Sequence, residues 1–144
     1  QATFTGNWIE SSGQPSLLGD SYHHDGNADR GKKTATFTPD FPKTGSYEVR
    51  LLYTWHPNRS SQTKVTIESA DGEKVVNLDQ KQPALVDGIP RSLGQFTFDK
   101  SSGSRVVISN DKADGYVSVD GIQFVPVEIA MDERRGQRKS GYSK

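Results

Sequence analysis

The stretch GSYEVRLLYTW, residues 45–55, alternates with a period of two. Tyr47, Val49, Leu51, Tyr53 and Trp55 fall on one face, and Glu48, Arg50 and Thr54 on the other. That separation is the mark of an extended strand with one face on a core. The same period runs through TATFTP (34–39), where Ala35 and Phe37 alternate with threonines. KVTIES (64–69) and EKVVNLD (73–79) flank ADG (70–72), a hairpin signal in which Asp71-Gly72 supplies the positive-φ positions. Further strands are read in SLGQFTFD (92–99), SRVVIS (104–109) and GYVSVDGIQFVPV (115–127). In the last, Val117 and Val119 hold one register and Ile122 and Phe124 the other, which predicts a bulge near Gly121. No segment before residue 127 shows a 3.6-residue period. Turn signals recur every roughly 8–12 residues, so the pattern predicts an all-β fold, an antiparallel β-sandwich.

Two long stretches lack this pattern, residues 6–32 and 79–91. Loops of such length in a compact domain are functional or disordered. The first holds Trp8, Leu17, Leu18 and Tyr22, which predicts that it is packed. After Val127 the composition shifts: residues 128–144 carry three acids and five bases and little to bury. The reading is therefore a sandwich domain over 1–127 and a poorly structured tail or linker over 128–144. A chain that begins at Gln1 without an initiator Met reads as a piece of a longer protein.

Composition narrows the function. Lys+Arg and Asp+Glu both number 18, so there is no basic excess to hold nucleic acid. No apolar run approaches the ~18 residues needed to cross a membrane. With no cysteine, disulfides, thiolate metal sites and cysteine nucleophiles are excluded, though the compartment is not fixed. The chain has no GxSxG, GxxxxGK[ST] or GxGxxG, so serine-hydrolase and nucleotide chemistry lack their motifs.

Chemistry-bearing residues concentrate in SYHHDGNADRGKK (21–33) and YTWHPNRSS (53–61). His23 and His24 are adjacent, so on a strand they point to opposite faces and do not share one metal. A transition-metal site would need one of them to meet His56 and a carboxylate. Asp20, Asp25 and Asp29 offer oxygen ligands to a structural calcium ion. The competing reading gives them, with Asn27, to Asx turns. No other cofactor is expected. In the second segment, Trp55 beside His56, Asn58 and Arg59 suits a sugar: an aromatic face for the pyranose ring, and forked donors for hydroxyls or a carboxylate. The alternation also places Trp55 in the core, and the two readings stand side by side. Tyr22, His23 and Tyr116 are expected as neighbours of this ligand site.

Three motifs carry a resemblance: W.ES.G.P...GDSY.HDGN, G.YEV.L.Y....NR, and V.I.N....GYV..D....VP. Together they cover about residues 6–126, and the chain resembles the golvesin/xanthan-lyase carbohydrate-binding-like domain family. His24 belongs to that pattern, whereas His23 is a local variation. The resemblance implies a jelly-roll sandwich akin to galactose-binding-like domains, with the two long loops at one end. It implies a non-catalytic module of a larger secreted, cell-surface or periplasmic protein, with a polysaccharide or oligosaccharide and the parent's other domains as partners. Tyr22, His24, Asp25 and Asn27 then fasten the first loop, Asp25 accepting from backbone amides or from His24. The alternative is a protein–protein adhesion or assembly module that uses edge strands and the 79–91 loop. An enzyme built on the histidines and acids is the third reading.

Overall fold

The computed structural model describes residues 2–14, 19, 21–99 and 103–142, with backbone alone from 137 onward. The strands are β1 (Ala2–Thr5), β2 (Ile9–Ser11), β3 (Tyr22–His24), β4 (Thr34–Phe37), β5 (Gly45–Leu52), β6 (Thr63–Ser69) and β7 (Gly72–Leu78). They continue with β8 (Leu85–Val86), β9 (Ile89–Pro90), β10 (Ser92–Phe98), β11 (Arg105–Ser109), β12 (Ser118–Val119) and β13 (Gly121–Pro126). One helix follows, α1 (Val127–Tyr142).

An antiparallel five-stranded sheet runs β1-β4-β11-β6-β7. Against it lies the antiparallel sheet β10-β5-β13, and a smaller sheet β12-β3-β2 extends that side. The core between them follows from the period of two. Ala35, Val65, Ile67, Val106 and Ile108 meet Tyr47, Val49, Leu51 and Tyr53 of the facing layer. Phe41, Tyr47, Phe98 and Phe124 close one end, with Phe41 stacked on Phe98 at 4.7 Å. The all-β sandwich is thus the observed architecture.

Four local expectations change. The phase shift at Gly121 is a change of sheet: β12 pairs with β3, β13 pairs with β5, and Asp120 lies between them, its amide donating to Leu52 O. Of Asp71 and Gly72, only Gly72 has positive φ (+99°). A hairpin turn with two left-handed residues forms instead at Asp87 and Gly88 (φ 52° and 79°), and it makes an unforeseen β8–β9 hairpin inside the 79–91 stretch. Residues 6–32 likewise contain two short strands, β2 and β3.

The fourth change is at the C-terminal end. Where a poorly structured tail was read from 128, the chain enters α1 directly after Pro126. Ala130 is fully buried, and Arg134 and Glu133 reach β5. Glu48 and Arg50, placed by alternation on the outer face of β5, are therefore only 2% and 1% exposed. They bond each other at 2.6 Å, while Arg134 holds Glu48 at 2.5 Å and Glu133 holds Arg50 at 2.9 Å.

Candidate functional site

At the end of β5 the chain leaves the sheet through Tyr53, Thr54 and Trp55. Tyr53 is buried and its hydroxyl donates to Gln82 O and Pro83 O at 2.7 and 3.1 Å. Burial pushes its ionisation above the ordinary tyrosine value. Trp55 does not continue into the core. It is 46% exposed, and its indole N–H donates to Lys81 O. The core reading of Trp55 fails because the strand ends at Leu52 and the chain turns outward. The ring is held at one edge and open on the rest.

The turn that follows is tight. Arg59 N–H donates to His56 O at 3.1 Å, and Asn58 N–H to His56 Nδ1 at 3.1 Å. Arg59 then folds beneath the surface and is only 4% exposed. Its Nε donates to Thr54 O (2.9 Å), Nη2 to Thr54 Oγ1 (2.8 Å) and Nη1 to Asn58 Oδ1 (2.7 Å). Its guanidinium carbon sits 5.7 Å from the centre of the buried Tyr22 ring, a cation–π contact. Backbone bonds Tyr116 N to Asn58 O (3.0 Å) and Ser60 N to Tyr116 O (2.8 Å) pin the turn to the segment before β12. Gly115 permits this approach: a Cβ there would lie 2.7 Å from both Asn58 O and Arg59 O.

Tyr22, Asn58, Arg59 and Tyr116 are thus brought together, with His56 joined to them through Asn58. Trp55 leans the other way, toward Lys81. His23 does not join them. It lies on the reverse face of β3 from Tyr22 and stacks on Phe4 at 4.4 Å, because neighbouring strand residues alternate. His24 stands edge-on to Tyr116 at 5.6 Å. Burial, and then the charge of Arg59, lower its pKa below the ordinary 6.5.

The 21–33 segment is a folded clasp. Asp25 is fully buried, and its carboxylate accepts from Val117 N (2.9 Å), Asn27 N (3.0 Å) and Asn110 Nδ2 (3.1 Å). His24 does not donate to it; its Nδ1 accepts instead from Gly26 N–H at 3.0 Å. Asn27 and Asp29 take left-handed φ of 56° each, as short polar side chains tolerate. Both Asp25 carboxylate oxygens thus already accept from N–H donors. Asp29 is exposed and lies 3.9 Å from Lys33 Nζ. Asp20 falls outside the described residues, as do Leu17 and Leu18. Among the described residues, no three His, Asp or Glu side chains gather as metal ligands.

Two buried amides escaped the sequence reading. Asn110 ties the clasp: its Oδ1 accepts from Gly31 N and Lys33 N, and its Nδ2 also donates to Ala28 O. Gln80 bonds both backbone groups of Ser118, at 2.8 and 3.0 Å, as a strand would. The signal available for each was an amide side chain close behind a strand, Asn110 directly after β11 and Gln80 two residues after β7. A hollow of about 490 Å³ lies at the opposite end of β5, against Lys43–Tyr47 and the start of α1, and involves none of these residues.

The comparisons accord with this architecture. The family model described as Golvesin C-terminal domain matches residues 1–126. Xanthan lyase of Bacillus sp. (strain GL1) is 40% identical over 128 residues, which is 87% of this chain and 13% of that protein. A solved structure of Paenibacillus xanthan lyase superposes with a TM-score of 0.81 at 31% identity, over 87% of this chain and 12% of that one. The chain thus spans about an eighth of the length of the relatives it matches.

Proposed function

Because the chain belongs to the golvesin C-terminal domain family, we propose that it is a non-catalytic module that binds polysaccharide and holds a larger secreted protein against it. The observation that carries this reading is Trp55, exposed yet fixed through its indole N–H to Lys81 O. A flat aromatic surface held in place stacks on sugar rings without an ordering cost. The similarity to a segment of xanthan lyase supports a polysaccharide as ligand and export as destination. A non-catalytic role is supported by how the polar side chains of the clasp are engaged. Asp25 spends its carboxylate on N–H donors, and His24 spends Nδ1 on the Gly26 amide. The carboxylate and that ring nitrogen are thus engaged in holding the clasp. Tethering raises effective concentration, so modest affinity suffices.

Affinity electrophoresis through gels containing neutral and acidic polysaccharides tests the proposal. The protein is retarded by at least one polymer, and Trp55→Ala weakens that retention about tenfold, the scale of one lost stacking contact. Uniform migration in every gel overturns it. A second reading, a protein-contact module, is favoured by Leu85 and Val86, which are 42% and 48% exposed on the β8–β9 hairpin. Concentration-dependent sedimentation that a Leu85→Ser, Val86→Ser pair abolishes distinguishes it.

A further inference from the structure

Among the described residues, each buried cation but one lies near an acid. Arg50 has Glu48 and Glu133. Lys33, 4% exposed, has Asp29 at 3.9 Å and the Asp25 carbonyl at 2.6 Å. Arg59 is as buried as Lys33, and no carboxylate among the described residues lies within 4 Å of it; its three hydrogen bonds go to uncharged oxygens. An acid held to this loop, Asp114, is exposed and committed to Ser61, whose amide reaches it at 2.7 Å and whose hydroxyl also donates to it. A guanidinium removed from water without a counter-charge is costly, by several kcal/mol for an unrelieved ion. Five N–H groups face outward from a guanidinium, and three here are used. Nη1, bonded to the exposed Asn58, is the edge nearest solvent.

Resting on the glycan-binding reading above, we propose that Asn58 and Arg59 receive the carboxylate of an acidic sugar, a uronate or carboxyl-bearing substituent. The spare N–H of Arg59 Nη1 and the Asn58 amide N–H₂ donate to the two carboxylate oxygens. The anion supplies the missing counter-charge and leaves Trp55 to stack on a neighbouring ring of the chain. Selectivity for acidic over neutral polymers follows, and it weakens with salt because the pair lies at the protein rim.

The test pairs several uronate-bearing polysaccharides of different backbones with their carboxyl-reduced counterparts. Dissociation constants are measured for the wild type and for Asn58→Asp. The variant keeps the oxygen that Arg59 bonds but adds an internal carboxylate, so it folds with a melting temperature at or above wild type. The wild type binds at least one native polymer tenfold or more tighter than its reduced form. Asn58→Asp loses that preference and keeps whatever affinity the wild type has for the reduced polymer. Equal binding of native and reduced polymers, or a preference unchanged in Asn58→Asp, overturns the carboxylate site and leaves glycan binding standing. No binding to any polymer, acidic or neutral, overturns both.

Discussion

Asn110 Nδ2 donates to Asp25 Oδ2 across 3.1 Å, joining two fully buried side chains that lie 85 residues apart in the chain. Asn110 also closes the clasp through Gly31, Lys33 and Ala28. Removing it takes the donor from buried Asp25 Oδ2 and the acceptor from the buried Lys33 amide and the part-buried Gly31 amide. Asn110→Ala is expected to cost about 3 kcal/mol, since each unsatisfied buried group costs roughly 1–3 kcal/mol. Asn110→Asp is expected to cost more, because it sets an anion against Asp25 and two carbonyls. Chemical denaturation of both variants checks the order. An Asp variant as stable as wild type would mean that Asn110 is not a donor at this junction.

Gly115 is the point where the 58–61 turn touches the segment before β12. A methyl group there would lie 2.7 Å from two carbonyl oxygens of the turn, and backbone does not yield as a side-chain end does. Gly115→Ala is expected to destabilise by about 1–3 kcal/mol, the range for overpacked sites. It should also shift the turn that carries Asn58 and Arg59, so glycan affinity falls even at temperatures where the protein stays folded. Thermal unfolding and electrophoretic retention, measured together, separate the two effects.

The strands with long period-two runs were legible in the sequence because their alternation is set by one shared core. β5, β6 and β10 lie where Tyr47, Val65 and Phe96 predict. Short strands were not legible. β2 and β3 have three residues each, too few to show a period, and β8 has two. The helix was hidden for another reason. Its contact with β5 includes the charged Arg134 and Glu133, so residues 128–136 read as solvent-facing. At the site, Arg59 and Asn58 were found as polar residues that packing did not explain. That Arg59 is buried could not be read, because the Thr54 and Tyr22 contacts that cover it depend on where Tyr116 pins the turn.

Two groups give stability a pH dependence with separate windows. The pKa of His24 is lowered in the folded protein by burial and by Arg59, so folding favours its neutral form. The unfolded chain therefore binds more protons between the folded value and 6.5. Its contribution is complete above 6.5 and declines as pH falls through that value, levelling off once the folded histidine also protonates. Glu48 adds a second loss at lower pH. Burial raises its pKa, but hydrogen bonds from Arg134 and Arg50 outweigh that and hold it below 4.5. Its contribution is present above 4.5 and is lost as pH falls through the folded value. Denaturation midpoints measured from pH 8 to 3 should fall in two steps. His24→Gln should remove the upper step alone, and an unchanged upper step would assign it to another group.

The contact of α1 with β5 yields unequal costs for its two arginines. Arg50 is 1% exposed and bonds Glu48, Glu133 and Gln123, so it lies wholly inside the junction. Arg134 is 42% exposed and approaches Glu48 from the rim. Arg50→Met leaves Glu48 buried with only its outer partner, and breaking a buried pair costs about 3–5 kcal/mol. Arg134→Ala leaves Glu48 still bound to Arg50, and its solvent-screened pair is worth about 1 kcal/mol or less. Adding salt should shrink the Arg134→Ala effect more than the Arg50→Met effect, because buried pairs are screened less. A chain ending at residue 126 should lose at least as much as Arg134→Ala, since it also uncovers the faces that Val127 and Ala130 occupy. Urea midpoints for the three proteins at low and high ionic strength check this. If Arg134→Ala proves as costly as Arg50→Met, the helix holds Glu48 as tightly as the strand does.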